Sequence, residues 1–374
     1  MKFKVKRKCT ATGSRTGSLE LPHGTLETPA FMPVGTNGTV KALPHSMIEE
    51  IGYKLILSNT YHLFLRPGID VIKRAGDLHG FSSWSSNILT DSGGYQIFSL
   101  APFRKILPEG VRFRSHIDGS LHFLSPEDVV NLQKDLGSDI AMCLDVCTSP
   151  GISRGEAEKA LSITTDWARR SKIQRDSLQD TMNGALFGII QGNFYHDLRR
   201  QSAEEIIAFD FPGYAIGGLS VGEEFSVFEE FLHYTAPLLP DDKPKYLMGI
   251  GTPEYILAAV ESGIDLFDCV FPTRIARNGS VFTPGGTIAL KNEKYRTDMT
   301  PISPDCTCYT CSRYSKSYLR HLFKTKEILG PILASYHNLF FLKKLMESIH
   351  SHITNDSFAN FKKDFLAEYS AEDG

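Results

Sequence analysis

The sequence predicts an α/β protein whose fold is a (β/α)₈ TIM barrel. Between residues 50 and 275, short apolar, β-prone runs alternate with longer helical patterns, and this spacing implies parallel strands. Nearly every run ends in small or polar residues, which a barrel collects on the one face where its active site lies. A doubly wound open sheet is the competing arrangement, but it concentrates ligand contacts at a single switch point.

Seven apolar runs are the predicted barrel strands. They lie at residues 55–57, 87–90, 140–144, 185–190, 214–216, 246–248 and 266–267. The small or polar segments that follow them are residues 58–60, 91–94, 145–147, 191–193, 217–220, 249–251 and 268–269. Capping residues also mark three helix starts, at Ser125 with Pro126 and Asp128, at Ser153 with Glu156, and at Thr252 with Pro253.

A cluster of cysteines near the C-terminus predicts a metal site. Cys306, Cys308 and Cys311 lie within six residues, and His337 follows 26 positions after the last of them. Three thiolates and one imidazole are a ligand set typical of structural zinc, which holds a loop rather than performing chemistry. His321 is the alternative fourth ligand. A disulfide would need an oxidising compartment, and iron–sulfur clusters usually take four cysteines at other spacings.

Length and composition indicate one large enzyme unit. The 374 residues exceed a typical domain but fit one barrel with an insertion or appendage, so we expect a single catalytic unit over residues 1–374. Within it we expect a zinc-binding subdomain at about residues 280–345. The basic residues 1–8 lead into no apolar signal core, and no apolar run is long enough to span a bilayer, which predicts a cytoplasmic protein.

Positive charge is concentrated in one part of the chain. The net charge is −3 overall, yet residues 274–344 hold twelve Lys and Arg against four acids. A basic segment on an acidic body is typical of a surface that faces nucleic acid. A solvated charged helix at about residues 313–326 would give the same composition.

Three aspartates, Asp91, Asp145 and Asp268, directly follow or end predicted strands. A single aspartate at such a position is usually a helix cap or a turn former. Two carboxylates on either side of a bound base, however, suggest glycosidic chemistry. One can trap an oxocarbenium-like sugar carbon while the other handles the proton of the leaving group.

The residues around these aspartates suggest a pocket for a planar base. Gly93 and Gly94 would let a flat ligand approach backbone amides, and Tyr95 could stack on it. Asp145 can accept two parallel donors, while Gln191 offers a donor and an acceptor. Together the two side chains match the edge of a guanine-like heterocycle.

Eight longer motifs precede the cysteine cluster. They are residues 91–96 (DSGGYQ), 143–147 (CLDVC), 188–192 (GIIQG), 217–223 (GGLSVGE), 246–249 (YLMG), 267–270 (FDCV), 272–274 (PTR) and 276–279 (ARNG). In this order, and over essentially the whole length, the chain resembles bacterial-type tRNA-guanine transglycosylases, the queuine tRNA-ribosyltransferase family.

The resemblance implies exchange of guanine at the wobble position of tRNAs with GUN anticodons, those for Asp, Asn, His and Tyr. The incoming base would be 7-aminomethyl-7-deazaguanine (preQ1), in a step toward queuosine. Asp268 would attack the ribose anomeric carbon and expel guanine, and the new base would then displace the enzyme with retention. Asp91 would act as general acid and base. Family members work as homodimers, so the resemblance also implies a homodimer.

The resemblance assigns roles to further residues. Those implied to bind the base are Ser92, Gly93, Gly94, Tyr95, Asp145, Cys147, Gln191, Gly218, Leu219, Val221 and Met248, with Tyr95 and Met248 as a sandwich. Glu223 would support the peptide near Leu219. Those implied to bind RNA are Gly249, Ile250, Gly251, Thr252, Pro253, Glu254, Tyr255, Thr273, Arg274, Ile275, Ala276 and Arg277.

Two points of detail stay open within this resemblance. Cys147 and Val221 match members that use preQ1, whereas relatives that use queuine tend to have a smaller residue at the latter position. Ser220 is commonly alanine in the family, and its hydroxyl would lie beside the aminomethyl group. Cys269, next to Asp268, is either a second nucleophile or a small apolar neighbour.

Two other classes of protein compete with this interpretation. A non-catalytic tRNA-binding subunit of the same fold would lose the nucleophile, but Asp91 and Asp268 are both present. A metal-dependent barrel hydrolase would need His62, His116 or His122 as ligands, and these lack the spacing of one strand or helix.

Overall fold

The computed structural model describes residues 1–100 and 103–369. In these residues the strands are β1 (Lys2–Lys8), β2 (Arg15–Leu21), β3 (Gly24–Thr28), β4 (Ala30–Pro33), β5 (Leu55–Asn59), β6 (Asn87–Asp91), β7 (Arg104–Leu107), β8 (Gly110–Arg114), β9 (Leu121–Leu124), β10 (Ile140–Met142), β11 (Ala185–Ile190), β12 (Tyr214–Ile216), β13 (Lys245–Leu247), β14 (Leu266–Cys269), β15 (Ser280–Thr283) and β16 (Gly286–Ala289).

The α-helices are α1 (His45–Ile51), α2 (Thr60–Leu65), α3 (Ile69–Arg74), α4 (Leu78–Ser82), α5 (Gly94–Leu100), α6 (Pro126–Asp135), α7 (Arg154–Ser177), α8 (His196–Ile207), α9 (Phe225–Thr235), α10 (Pro253–Glu261), α11 (Phe271–Arg277), α12 (Lys316–Lys324), α13 (Leu329–Thr354) and α14 (Phe358–Tyr369). None of these helices is both long and apolar enough to cross a membrane.

Eight parallel strands form a barrel, which confirms the predicted fold class. Hydrogen bonds join them in the order β4-β14-β13-β12-β11-β10-β6-β5, so the strands follow chain order around the ring. A parallel bridge between Val34 and Leu57 joins the two ends of this sheet. Between consecutive strands the chain passes through helices, and α6, α7, α8 and α9 pack against one another in sequence on the outside.

Side chains from the strands fill the barrel interior. Leu89, Ile140 and Phe187 from three strands share one buried cluster with Leu19 and Leu26 of the antiparallel sheet β1-β2-β3. The N-terminal sheet therefore covers the amino end of the barrel. Ligands of this fold usually bind at the opposite, carboxyl end.

The structure has one barrel strand that the sequence did not indicate. β4 consists of four residues, Ala30–Pro33, and it follows Pro29. Proline cannot donate to a strand ladder, so a short run bounded by prolines does not predict a strand. The antiparallel sheets β1-β2-β3 and β7-β8-β9 were also not predicted, because they lie outside the apolar runs.

The predicted helix starts are confirmed, although only two of them are capped by side chains. Ser125 and Ser153 each form a complete capping box, with Asp128 and Glu156 respectively. Thr252 precedes α10 without a side-chain cap, and its buried Oγ1 forms no hydrogen bond within the described residues. Pro253 at the first turn starts this helix instead.

The C-terminal helices and a hairpin pack on the last barrel helix. Asn338 on α13 donates its side-chain amide to the Pro272 carbonyl at 2.9 Å and accepts from the Phe282 amide at 3.0 Å. This one side chain ties α13 to α11 and to the β15-β16 hairpin. The boundaries of a zinc-binding subdomain at about residues 280 and 345 stay a prediction.

Candidate active site and metal site

The predicted carboxylates lie at the carboxyl end of the barrel. Asp91 is the last residue of β6, Asp145 follows β10, and Asp268 lies in β14. Burial, and with it the negative charge of Asp91, raises the pKa of both other carboxyl groups, so Asp91 lies within electrostatic range of each of them. The barrel thus brings together residues that are up to 177 positions apart in the sequence.

Asp268 is held by one of its two oxygens. The Tyr246 hydroxyl donates to Oδ1 at 2.6 Å, and the Gly249 amide donates to the same atom at 2.9 Å. Within the described chain no hydrogen bond reaches Oδ2, which leaves that oxygen available to a ligand. Burial raises the pKa of Asp268 to about 6, against the lowering effect of Tyr246 and Gly249.

Cys269 does not have the properties of a nucleophile. Burial, and next the charge of Asp268, raise the pKa of its thiol to about 12. The thiolate is the reactive form of cysteine, so a neutral thiol at this position is a weak nucleophile. The apolar-neighbour interpretation of Cys269 fits better.

Asp91 is buried and oriented by its surroundings. Burial raises its pKa, while the Gln96 side chain and the amides of Ser92 and Gly93 counteract this effect. Asn59, which the sequence did not single out, donates from Nδ2 to Asp91 Oδ2 at 3.3 Å. Asn59 lies in the polar segment at the end of β5, so the strand-end pattern was the signal that could have found it.

Asp145 and Gln191 form a joined polar pair, as expected for an edge-reading site. Gln191 donates from Nε2 to Asp145 Oδ2 at 2.7 Å, and both residues are buried. Burial raises the pKa of Asp145 to about 7, with a further increase from the charge of Asp91. The Oε1 atom of Gln191 is buried without a partner in the described structure, so it can accept a donor from a ligand.

Two glycines leave space beside this pair. A Cβ added to Gly94 would lie 2.8 Å from both the carbonyl oxygen and Oδ1 of Asp145. A Cβ added to Gly218 would lie 2.6 Å from Gln191 Oε1, and Gly218 also has a φ of +67°. A side chain at Gly94 would therefore crowd Asp145, and one at Gly218 would occupy the space next to the free Oε1 of Gln191.

Arg199 is a buried residue that the sequence analysis missed. Its guanidinium donates to the carbonyls of Asn193 at 2.8 Å, Gly217 at 2.7 Å and Gly218 at 3.2 Å. Burial lowers its pKa to about 10. The arginine therefore fixes the strand-end peptides that border Gln191. No sequence signal separates it from Arg200, the exposed arginine that follows.

Glu223 holds the turn after β12, close to its expected place. Its carboxylate accepts the amide of Val221 at 2.9 Å and the amide of Ser220. The contacts are thus to the two peptides that follow Leu219. Leu219 itself is buried, as is Cys147, whose thiol pKa burial raises to about 12.

The other expected base contacts differ in exposure. Ser92 is buried and its hydroxyl accepts the Gly94 amide at 3.3 Å. Tyr95 is 48% exposed on α5, whereas Met248 packs against the cluster inside the barrel. The sandwich of Tyr95 and Met248 stays a prediction.

The residues expected to bind RNA form two segments at the same end of the barrel. One segment, residues 249–255, leads from β13 into α10, and the other, residues 273–277, lies in α11. Arg274 is exposed and Arg277 is half-buried, and burial followed by the charge of Arg274 lowers the pKa of Arg277. Two neighbouring cations of this kind favour an anionic ligand. The buried members of the two segments are Ile250, Gly251, Pro253, Thr273 and Ala276.

The cysteine cluster and His337 come together as a group that could hold a metal ion. The sulfur and nitrogen atoms of Cys306, Cys308, Cys311 and His337 all lie within 4.8 Å of one another. His337 Nδ1 is 3.5 Å from Cys308 Sγ and 3.4 Å from Cys311 Sγ. Tetrahedral zinc with ordinary bond lengths separates its ligand atoms by about 3.5–3.8 Å, so the donor set fits that ion.

His337, rather than His321, completes this group. Its other ring nitrogen, Nε2, lies 2.7 Å from the Phe282 carbonyl, which orients Nδ1 toward the thiols. His321 is exposed on α12 and is not part of the group. The geometry therefore supports the sequence-based prediction that His337 is the fourth ligand.

Comparison with known proteins shows which family the chain resembles. A family model described as queuine tRNA-ribosyltransferase matches residues 9–371. Relatives named queuine tRNA-ribosyltransferase include one from Treponema denticola, 53% identical and covering 98% of this chain and 97% of its own. Another, from Caldanaerobacter subterraneus, is 52% identical, and the match covers 99% of this chain and 98% of the relative. A third, from Borrelia hermsii, is 52% identical and covers 98% of each chain.

Proposed function

The chain belongs to the queuine tRNA-ribosyltransferase family, and we propose that it exchanges guanine at the wobble position of GUN-anticodon tRNAs for preQ1. The substrates would be the tRNAs for Asp, Asn, His and Tyr, and the step would lie on the route to queuosine. The observation that carries the proposal is that one end of the barrel holds both the Asp268 carboxylate, which is hydrogen-bonded through only one oxygen in the described structure, and the buried pair of Asp145 and Gln191.

Asp268 is proposed as the nucleophile. Tyr246 and Gly249 fix one oxygen and orient the other for attack on the anomeric carbon of the ribose. A covalent aspartyl-ribose forms as the bond to guanine breaks, and the incoming base then attacks the anomeric carbon from the face that guanine left and displaces the Asp268 carboxylate. Two such displacements retain the configuration at the sugar.

Asp91 is proposed as the general acid and base. Because burial raises its pKa, this carboxyl group holds a proton more readily than an exposed aspartate does. It would protonate guanine as the base leaves and take a proton from the incoming base. Asn59 and the amides around it would keep the carboxyl group in place.

The proposed base contacts are those of a purine-like ring. Asp145 and the free Oε1 of Gln191 would bind its donor edge, and the peptides at Gly218 and Leu219 would bind the carbonyl and aminomethyl sides. Arg199 would keep those peptides in position. The unpaired wobble base would be splayed from the anticodon loop into this pocket.

Zinc and a homodimer complete the proposal. The cysteines and His337 would hold one structural Zn²⁺, which would fix the segment between the β15-β16 hairpin and α13. Two copies of the chain would engage one tRNA, in the cytoplasm. Arg274 and Arg277 would contact the nucleotides that flank the wobble position.

Guanine exchange tests the proposed reaction directly. Wild-type protein should incorporate radiolabelled guanine into tRNA-Tyr, and an inert base analogue should trap a covalent tRNA adduct on a denaturing gel. Asp268→Asn should give neither product. Incorporation by the variant would move the nucleophile elsewhere, and no incorporation by the wild type would favour a binding subunit.

A competition between bases tests the choice of preQ1. With both bases present we expect faster incorporation of preQ1 than of queuine, because Val221 reduces the space for a larger substituent. Apolar pockets of this kind discriminate by about 1–3 kcal/mol. Faster exchange of queuine would reverse this assignment without affecting the reaction class.

Metal analysis tests the proposed zinc. Purified protein should contain about one zinc per chain, and Cys308→Ser should lose most of it together with thermal stability. Arg200→Lys, at an exposed position on α8, serves as the control and should keep the metal. A different metal, or full zinc content in the cysteine variant, would contradict the assignment.

A further inference from the structure

The sheet β7-β8-β9 presents a basic and apolar face to solvent. Its strand pairing places Lys105 opposite Arg112, Arg112 opposite Phe123, and Arg114 opposite Leu121. Directly opposite residues in an antiparallel sheet share one face, and all five of these are exposed. We call these five residues together with Phe103 the outer face of the sheet.

The inner face of the same sheet forms part of the wall of the candidate active site. Val111 and Phe113 are buried, and the ring of Phe113 lies 5.4 Å from that of Tyr61. A cavity beneath the sheet is lined by Val111 together with Asp145 and Cys147. The outer face is therefore the opposite side of the sheet whose inner face lines the pocket that would bind the base.

The turn between β8 and β9, at the tip of the sheet, also contacts a residue that packs beside the pocket. His116, between β8 and β9, lies with Nδ1 2.8 Å from the Tyr61 hydroxyl. Tyr61 in turn lies against Gly93, whose added Cβ would be 2.9 Å from the Tyr61 Cβ. Gly93 follows Asp91 by two positions, so the buried Tyr61 connects the tip of the sheet to the segment that carries this carboxylate.

The cations of the outer face have no acidic partner. Among the described residues no ion pair involves Lys105, Arg112 or Arg114, and the guanidinium of Arg114 donates only to the Gly119 carbonyl, at 3.0 Å. Residues 103–124 hold four Lys and Arg against two acids, in a chain with a net charge of −3. Unpaired cations next to a site on an acidic protein favour a polyanion.

Exposed aromatic rings accompany these cations. Phe103 is 52% exposed and Phe123 is 42% exposed. The Arg114 amide donates to the Phe103 carbonyl at 3.0 Å, which extends the sheet by one residue and places Phe103 at its edge. Rings that stack on bases, beside cations that hold phosphates, are the combination that binds unpaired nucleic acid.

We propose that the outer face binds the RNA strand that continues from the nucleotide held in the pocket. Lys105, Arg112 and Arg114 contact its phosphates, and Phe103 and Phe123 stack on unpaired bases. The inference rests on the proposed function, because the strand belongs to the same tRNA whose wobble base enters the pocket. It adds a contact surface beyond the two segments at residues 249–255 and 273–277.

Binding of unmodified tRNA-Tyr, measured by fluorescence anisotropy over a range of salt concentrations, tests this surface. For the variant Lys105→Gln/Arg112→Gln/Arg114→Gln we expect Kd to rise about tenfold at low salt. The slope of log Kd against log salt should fall by about 2, since each lost phosphate contact removes somewhat less than one counterion.

A matched control removes the same charge elsewhere. Lys4 on β1, Lys159 on α7 and Lys363 on α14 are exposed and form no ion pair in the described part of the chain. The triple variant Lys4→Gln/Lys159→Gln/Lys363→Gln should keep the wild-type Kd and salt slope. Thermal melting of both triple variants checks that each is folded.

A second variant tests stacking separately. Phe103→Leu/Phe123→Leu keeps two apolar side chains and removes the flat rings, so we expect tRNA binding to weaken about fivefold or more with an unchanged salt slope. Wild-type affinity in this variant would remove the rings from the proposed surface.

Equal Kd values and salt slopes in the two triple variants would overturn the inference. Because binding is measured without base exchange, its result is independent of the test of the reaction. If the wild type incorporates no guanine but the outer-face triple variant binds tRNA more weakly than the wild type does, the proposed function is refuted and the RNA surface is supported. If the wild type incorporates guanine and the outer-face triple variant binds tRNA as tightly as the wild type, the proposed function is supported and the RNA surface is refuted.

Discussion

The two ends of the barrel both contain buried aspartates, and one strand shows the difference between them. Asp265 precedes β14 at the amino end, and its carboxylate accepts from Arg15 Nε at 3.0 Å, from Arg15 Nη2 at 2.6 Å and from the Lys245 amide at 2.7 Å. Asp268, three residues later at the carboxyl end, has donors on one oxygen only. Both carboxylate oxygens of the aspartate at the amino end thus accept hydrogen bonds from the protein, whereas the aspartate at the carboxyl end keeps one oxygen free, among the residues described, to accept a hydrogen bond from a ligand.

A raised pKa does not separate the two ends. Burial raises the pKa of Asp265 as well as that of Asp268, even though Arg15 counteracts it at the amino end. The distinguishing feature is the number of partners that the protein itself supplies. An aspartate whose oxygens are all bound by the protein has a structural role, and one with a free oxygen in a pocket is available for chemistry.

The largest expected effects separate Asp265 from Asp268. Asp268→Asn should lower guanine exchange at least about 1,000-fold, because the oxygen proposed to attack the ribose is lost, and should leave the free energy of unfolding unchanged or higher. Asp265→Asn should lower the free energy of unfolding by about 3–5 kcal/mol, because Arg15 loses its buried counter-charge. Urea denaturation and the exchange assay give both values.

The opposite pattern would break the comparison between the ends. A stable Asp265→Asn variant, or an Asp268→Asn variant that fails to fold, would show that hydrogen-bond saturation does not distinguish structural from catalytic aspartates in this barrel.

A second comparison involves the buried arginines. Arg15 has a carboxylate partner, whereas the Arg199 guanidinium donates only to carbonyl oxygens among the described residues. Arg199→Lys keeps the charge but cannot reach the carbonyls of Asn193, Gly217 and Gly218 together. We expect kcat/KM for guanine exchange to fall about 10- to 100-fold, because the peptides beside Gln191 lose their fixed positions.

The assay of Arg199→Lys must distinguish a loss of the peptide positions beside Gln191 from a general loss of protein stability. KM for the incoming base should rise more than kcat falls, while the affinity for tRNA should stay close to the wild-type value. Arg200→Lys, one residue later and exposed, is the matched control and should be neutral. Parallel losses of base affinity and tRNA affinity would indicate a purely structural arginine.

The same contrast explains what the sequence could predict. The barrel and its polar end could be inferred because the strand runs and the segments after them are local patterns. The three aspartates and Gln191 lie in those segments. Arg199 could not be inferred, because Arg199 and Arg200 are adjacent in an ordinary helical pattern and only the tertiary fold buries one of them. Lys105 and its partners on β7-β8-β9 were missed because the strand prediction was based on continuous apolar runs, and these strands lie outside such runs.

The smallest expected effect concerns the pH dependence of stability. Burial raises the pKa of Asp145 to about 7 in the folded state, above its value of about 4 in the unfolded chain. Its contribution to stability is therefore fully present below about pH 4 and is lost as the pH rises through about 7. At pH 8 the folded protein has to hold a buried charge, and Asp145→Asn removes that cost.

We therefore expect the free energy of unfolding of Asp145→Asn, relative to that of the wild type, to increase by about 2–3 kcal/mol between pH 5 and pH 8. Asp241 at the amino end supplies the control, since the hydrogen bond from Lys8 and the charge of Lys245 lower its pKa to about 2. Its contribution is lost only as the pH falls through about 2, so the effect of Asp241→Asn should be equal at pH 5 and pH 8. Urea denaturation at the two pH values measures both differences. A pH-independent difference for Asp145→Asn would mean that this carboxyl group is already ionised at pH 5 in the folded protein, and the carboxyl end would then hold its charges as well as the amino end does.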